Sequence, residues 1–346
     1  MDDAVAQPPR SGRFWLYAPF GMLLLVAVLW SVAWFVVRDR VAKGLDATLS
    51  AEARAGRQWT CQNRRIGGYP FRIEVTCAAL TVRRGGVTAS LGATRSVAQV
   101  CQPRHVITEI DGPLNLTDGR IAVQGTWRLL ETSVRGSRAG FQRASLVVEE
   151  PSLRVTGAEP EAIDVSGERL EAHVRPNPGR PQEQAFDAAI QARQARLPLL
   201  DGLLGGAEPA NLQIDVTATQ AEGFRGRPIV VEVERWRAAG GKLDVLQLSL
   251  EKGTRRVQAR GELRLDDLHR PAGEFALSGA GLESVIARLT GNRIGGTLLG
   301  ALFGARPPAD GAAAPALTPL PPLRLDDGRL SVGPFVVPSV RLPALY

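Results

Sequence analysis

Cys61 and Cys77 are the residues of this chain whose type and spacing most clearly specify a reaction, the oxidation of two thiols to a disulfide. They bracket Gly67-Gly68-Tyr69-Pro70, a run of turn formers that lets the chain fold back and the two sulfurs meet. A bridge closing a loop of about fifteen residues contributes on the order of 3 kcal/mol in an oxidising compartment. The alternative is unrelated buried thiols, because cysteine packs well as a small hydrophobe. The alternating segment Phe71 to Cys77, read as a strand returning beside Trp59 to Asn63, favours the bridge. Cys101 is left over and is expected to be buried.

Other reactive side chains do not assemble into a site. No C-x-x-C pair occurs and His105, His173 and His269 are scattered, which argues against zinc. His105, after Pro103, lacks a partnered nucleophile and reads as a strand-start residue satisfied by backbone. Asp326 and Asp327 are adjacent carboxylates, but they occupy an expected turn and point to different sides. G-x-S-x-G, P-loop, G-x-G-x-x-G and H-E-x-x-H motifs are absent from the sequence. A non-enzymatic protein with no metal or cofactor is therefore expected. The net charge of +7 comes largely from arginines dispersed singly or in pairs such as Arg64-Arg65, Arg83-Arg84 and Arg255-Arg256. Without a basic stripe interleaved with aromatics, nucleic acid is not the expected partner. Anionic lipid headgroups suit a basic domain tethered at a bilayer.

Two kinds of element must position these residues. The first is an anchor: Phe14 to Val37 carries no charge between Arg13 and Arg38. At about 1.5 Å per residue this run reaches roughly 36 Å, enough to cross a hydrocarbon core of about 30 Å. Trp15, Tyr17, Trp30 and Trp34 lie near its ends, where amphipathic rings settle at headgroup depth. Residues 14–37 are read as a transmembrane signal anchor behind a cytoplasmic tail, 1–13. Arg10, Arg13 and the amino terminus balance Arg38, Arg40 and Lys43, so charge leaves the orientation open. The short tail places the C-terminal part outside the cytoplasm. Cleavage after Ser31-Val32-Ala33 is the alternative; the unbroken apolar run favours retention. Val41, Leu45, Leu49 and Ala53 recur every four residues, predicting an amphipathic helical linker over 38–58.

The second element is a β-rich domain, residues 59–346. Apolar residues alternate with polar ones at Ile121/Val123, Leu170/Ala172/Val174 and Leu212/Ile214/Val216. Val257, Ala259, Gly261, Leu263 and Leu265 share one face, while Gln258, Arg260, Glu262, Arg264 and Asp266 share the other. Gly240-Gly241, Gly253 and Gly273 are expected to separate strands, and Asp326-Asp327-Gly328 to turn a hairpin between Leu323/Leu325 and Leu330/Val332. Within Leu243 to Leu250 the apolar phase slips, which a bulge accommodates. Leu197 to Leu204 and Leu282 to Phe303 read as small helices, and residues 304–322, rich in Ala and Pro, as a loop. The fold class is mainly β, a large curved antiparallel sheet with few helices. Its apolar face, including Leu212, Ile214, Val216, Val257, Ala259, Leu263, Leu265, Phe275 and Leu277, must be covered. Either a second layer fills it or an apolar ligand occupies it as a groove.

The run Ile66-Gly67-Gly68-Tyr69-Pro70-Phe71-Arg72-Ile73, with Cys61, Cys77, Gln102-Pro103-Arg104-His105 and Gly112-Pro113-Leu114, resembles an uncharacterised family of Gram-negative envelope proteins, domain of unknown function 2125. The likeness is most specific at Gly68, Tyr69, Pro70 and Phe71. It departs at Cys101, where the family more often carries an aromatic residue. Gly261 to Asp266, the Pro271-Ala272-Gly273 turn and Phe275-Ala276-Leu277 also resemble repeats of AsmA-type proteins. Those are membrane-anchored β-rich envelope proteins associated with bulk lipid movement. The resemblances imply a similar setting; together with the anchor and the one-sided strands they lead to the expectation of a single-pass inner-membrane protein whose periplasmic domain binds or shields lipid acyl chains during envelope assembly. The alternative is an interaction scaffold with a filled core that docks another envelope protein. Tyr69-Pro70-Phe71 could be a lipid-facing tip, but is read as a turn whose rings pack on the disulfide.

Overall fold

The computed structural model describes residues 14–157, 162–223, 228–282 and 317–346. The expected tail, 1–13, lies outside them. The apolar run and the expected linker form one continuous helix, α1 (Phe14–Arg54), rather than an anchor followed by a separate helix. The helical spacing of Val41, Leu45, Leu49 and Ala53 extends the apolar helix without a break. Gly56, at φ 80°, ends it in a Schellman arrangement: Gly56 N–H donates to Ala53 O at 3.0 Å and Arg57 N–H to Glu52 O at 2.9 Å.

The strands after α1 are β1 (Gln58–Gln62), β2 (Arg65–Gly67), β3 (Arg72–Cys77), β4 (Ala79–Arg84), β5 (Val87–Leu91), β6 (Thr94–Gln99) and β7 (Gln102–Ile110). Next come β8 (Leu114–Thr117), β9 (Ala122–Thr126), β10 (Leu129–Ser137), β11 (Gly140–Glu149), β12 (Ser152–Thr156), β13 (Ile163–Ser166) and β14 (Arg169–Pro176). The second half holds β15 (Phe186–Ala195), α2 (Pro198–Leu204), β16 (Ala210–Ala218), α3 (Ile229–Ala238) and β17 (Leu243–Lys252). It ends with β18 (Arg255–Leu265), β19 (Pro271–Ala280), β20 (Thr318–Asp326), β21 (Arg329–Val332) and β22 (Phe335–Arg341). Among the described residues they build two antiparallel sheets. A 15-stranded sheet has the order β2-β3-β6-β7-β10-β11-β14 and then β15 to β22 in sequence; a 7-stranded sheet has the order β1-β4-β5-β8-β9-β12-β13.

The short sheet is made of continuations of the long one. β3 runs into β4, β5 into β6, β7 into β8, β9 into β10, β11 into β12 and β13 into β14, with a short break each time. Backbone hydrogen bonds persist across the breaks: Ala78 N to Gln62 O at 2.8 Å, Asp111 N to Ala93 O at 2.8 Å and Arg128 N to Glu149 O at 2.9 Å. The breaks therefore line up as a seam. An added Cβ at Gly92 would lie 2.5 Å from Gly112 O, so only glycine fits there.

The disulfide shows which way the seam folds. Cys61 pairs with Leu80, three residues from Cys77, a distance of about 10 Å in a flat sheet. The two cysteines are bridged, with Cα atoms 5.2 Å apart, so the sheets fold toward each other there. Cys77 shares its face with Ile73 and Val75, and Cys61 shares its face with Trp59, Leu80 and Val82. Both apolar faces look into the fold.

Several expectations are corrected. β3 does not lie beside β1; it pairs with β2 and β6, and β1 pairs with β4, so the bridge joins two sheets rather than two neighbouring strands. Cys101 is exposed because it sits in the β6–β7 turn. Gly273 lies inside β19, close against the Glu262 carbonyl, and the β18–β19 turn is at Asp266 to Arg270. Of the expected 304–322 loop, Thr318 onward is strand, held between β19 and β21. Apart from Leu282, the expected helix Leu282 to Phe303 lies outside the described residues. The Leu197 to Leu204 helix, the register shift between Val245 and Leu248 and the Asp326-Asp327-Gly328 turn are present. α3 was not expected.

Candidate functional site

Antiparallel register carries side chains of paired residues on the same face, so the pairings trace what the long sheet presents. On one face a row runs from Ile73 through Ala98, Val106, Val134, Ala144 and Val174. It continues through Ala188, Val216, Val245, Gly261 and Phe275 to Leu323 and Val332. No polar residue interrupts it. At about 4.8 Å per strand, this row is roughly 58 Å long.

The expected groove residues fall on this face. Leu212, Leu250 and Val257 form one adjacent row; Ile214, Leu248, Ala259 and Leu277 form another; Leu263 lies beside Leu243, and Leu265 beside Pro271. Coverage of the face is uneven. Ile73 and Val245 are buried, whereas Val106, Val134 and Ile190 keep 37%, 46% and 36% of their surface, so the middle is open. The short sheet is aligned only with strands up to β14. Beyond it, α2 and α3 are tied to strand ends. Lys252, 1% exposed, reaches Asp201 of α2 at 2.6 Å and also donates to the Glu208 carbonyl. Trp236 of α3 donates to Thr219 O at 2.7 Å.

The opposite face is charged. Arg95 pairs with Glu74 at 2.7 Å, Arg169 with Glu171 at 2.5 Å and Arg175 with Asp187 at 3.3 Å. Hydrogen bonds from Arg95 and Arg169 hold the Glu74 and Glu171 carboxyls below the usual range. His105 belongs to this face: its Nε2 lies 2.9 Å from Ser133 Oγ, in mid-strand, so a side chain and not backbone satisfies it. A hollow of about 830 Å³ is lined by Arg143, His173, Arg175, Asp187, Asp215 and Gln247 of this face, together with Ala144, Val174, Ala188 and Val216 of the apolar row. Among the described residues no three His, Cys, Asp or Glu side chains are grouped to hold a metal.

The Gly68 to Phe71 motif lies on α1, whose apolar run is long and apolar enough to cross a membrane. Beyond that run α1 continues to Arg54; the chain turns at Gly56 and comes back along it. Arg57 and Trp59 bond to Glu52 at 2.5 Å and 3.2 Å, and Arg64 pairs with Asp46 at 2.8 Å. The Arg57 hydrogen bond, helped by Trp59, lowers the Glu52 pKa to about 2 against the opposing effect of burial. Further down, Arg38 donates to Ile66 O at 3.1 Å, Trp34 to Arg72 O at 3.0 Å and Trp30 to Pro70 O at 2.9 Å; Ser31 Oγ lies 2.8 Å from Tyr69 OH. The Tyr69 ring meets Trp34 edge-on at 5.4 Å and stacks with Phe35 at 6.3 Å. Phe71 faces Trp30 at 6.3 Å. The motif's rings therefore pack on the helix and not on the disulfide. Pro103 follows the β6–β7 turn, which Val100 N joins to Phe71 O at 2.9 Å, so the motif's two halves meet at one end of the sheet.

Residues 34–341 match the family described as "Uncharacterized protein conserved in bacteria (DUF2125)". The chain belongs to this family. The matched region starts at Trp34, which holds the motif, and ends with β22, so this DUF2125 chain carries both sheets inside the family region. No curated protein and no solved structure matches it. The AsmA likeness of β18 and β19 therefore has no support from a relative of known structure.

Proposed function

We propose that this protein is a non-enzymatic, single-pass inner-membrane protein whose periplasmic domain binds or shields lipid acyl chains on the apolar face of the long sheet. The observation that supports this is the uninterrupted row from Ile73, beside the anchor, to Val332, partly open at Val106 and Val134. Hydrocarbon removed from water there gains about 25 cal/mol per Å² of apolar area, and the row offers no polar partner. The Cys61–Cys77 disulfide suits an oxidising compartment, hence the periplasmic side. The test compares lipids retained by the purified full chain with those retained by Ile190→Glu and Ile214→Glu, by mass spectrometry. Acyl lipid should be present in the first and lost in the variants. Equal retention would assign the lipid to the anchor's annulus and overturn the reading.

The hollow around His173 and Arg175, lined by charged and small apolar residues alike, supports a second reading, docking of another envelope protein on the charged face. Cross-linking from Arg143 would then capture a protein partner while Ile190→Glu leaves capture unchanged.

A further inference from the structure

We infer that the Gly68 to Phe71 turn is a second membrane element, inserted in the interfacial layer of the leaflet that the C-terminal end of the anchor crosses. This rests on the anchor spanning a bilayer, not on acyl-chain binding by the sheet. The first charge after the apolar run of α1 is Arg38. The turn does not stop there. It descends past Trp34 to Trp30, where Pro70 O accepts the indole N–H. From Arg38 to Trp30 is eight residues, about 12 Å down the helix axis. A bilayer around Trp30 to Val37 must therefore also surround the turn fastened to them.

The composition of the turn fits that depth. Phe71 is 71% exposed and Tyr69 54%, and neighbouring Phe35 and Val36 of α1 are 56% and 45% exposed, so one continuous apolar surface spans both elements. Several of its polar groups are already engaged: Pro70 and Arg72 carbonyls accept from indoles, Gly68 and Phe71 carbonyls accept from Arg72 N and Val100 N, and Tyr69 OH meets Ser31. Pairing of this kind lowers the cost of moving the turn toward hydrocarbon. Exposed Arg104, beside the neighbouring β6–β7 turn, supplies a cation at headgroup level, while Arg72 pairs with Glu74 at 3.3 Å. The partner is the bilayer itself, and the consequence is a fixed pose: two contacts, helix and turn, hold the β2–β3 end of the apolar row at the leaflet.

The experiment uses the full chain in phosphatidylethanolamine and phosphatidylglycerol vesicles, in a Cys101→Ser background with the disulfide intact. Nitroxide labels on Phe71→Cys, Val28→Cys and Arg120→Cys are read for relative accessibility to oxygen and to a water-soluble nickel chelate. The label at position 71 should give an oxygen-to-nickel ratio several-fold above that at 120, in the β8–β9 turn, and on the membrane side with that at 28. A ratio at 71 equal to that at 120, with 28 still in the membrane, overturns the inference and leaves the anchor standing. Nickel access at both 71 and 28 overturns it together with the span. If Phe71→Cys does not fold by circular dichroism, Tyr69→Cys is read by the same criterion.

Discussion

The indole Nε1 of Trp34 donates to the carbonyl of Arg72 at 3.0 Å, joining α1 to the first residue of β3. Trp34 is 4% exposed, the one well-buried residue of the apolar run among those described. Trp34→Phe keeps a ring against Tyr69 and loses the hydrogen bond, which should lower stability by about 1 kcal/mol. Trp34→Ala also leaves a cavity and should lower it by about 3 kcal/mol or more. Thermal unfolding of the full chain in detergent checks the order; equal effects would mean the hydrogen bond contributes everything.

Replacing Cys61 and Cys77 by serine removes a cross-link of sequence separation 16 that also pins the seam between the sheets. A loss of about 3 kcal/mol is expected from loop-closure entropy. Denaturant unfolding of the double variant beside the oxidised parent measures it, and the parent with reductant should match the variant.

Lys252 and Asp201 should respond unequally. The lysine is 1% exposed and the aspartate 38%, so Asp201→Ala strands a buried ammonium on the Glu208 carbonyl, whereas Lys252→Met leaves a carboxylate that water can reach. Asp201→Ala should destabilise by about 3 kcal/mol and Lys252→Met by distinctly less. Chemical denaturation that reverses this order would show that the ion pair itself stabilises the β17–β18 turn.

The C-terminal Tyr346 gives a pH dependence. Its hydroxyl donates to Glu234 Oε2 at 2.9 Å, beside His269. The Arg237 hydrogen bond first, then that from Tyr346, lowers the Glu234 pKa to about 2. A depressed carboxyl contributes stability above its unfolded value, about 4.3, and loses it as pH falls toward the folded value. Burial first, then the bond to Glu234, raises the Tyr346 pKa. A raised phenol contributes fully below about 10 and loses that contribution as pH rises through the folded value. An ultraviolet difference titration against Tyr346→Phe should find Tyr346 ionising above the ordinary tyrosine range, and closer to it in Glu234→Gln. No difference between these backgrounds would sink the coupling.

Local pattern carried much of this fold. Period-two alternation locates β16 and β18, the phase slip locates the Val245–Leu248 bulge, and Asp326-Asp327-Gly328 locates the β20–β21 hairpin. Long-range pairing was not legible. Nothing around Ala78 or Gly92 states that strands break there and continue in another sheet, so the pairing of β1 with β4 is not readable from local pattern. α3 opens with Ile229-Val230-Val231, β-branched residues that favour strands, and its helix is fixed instead by tertiary contacts such as Trp236 to Thr219. β20 holds Pro319, Pro321 and Pro322, which read as strand breakers; a register shift opposite Phe275 and Leu277 accommodates them. Of the candidate site, face membership was readable residue by residue. The docking of Tyr69 and Phe71 on α1 was not, because the helix partner lies some 35 to 40 positions upstream.

The claim that acyl chains occupy the apolar face is tested most directly by a photo-reactive benzoylphenylalanine placed at Ile190, on that face, and at its neighbour Gln191, on the charged face, in the full chain in its native membrane. Irradiation followed by mass spectrometry should find lipid adducts at position 190 and none at 191. Cross-links from 190 only to this chain's own residues 283–316, without lipid, would mean the polypeptide covers its own apolar face and would contradict the account.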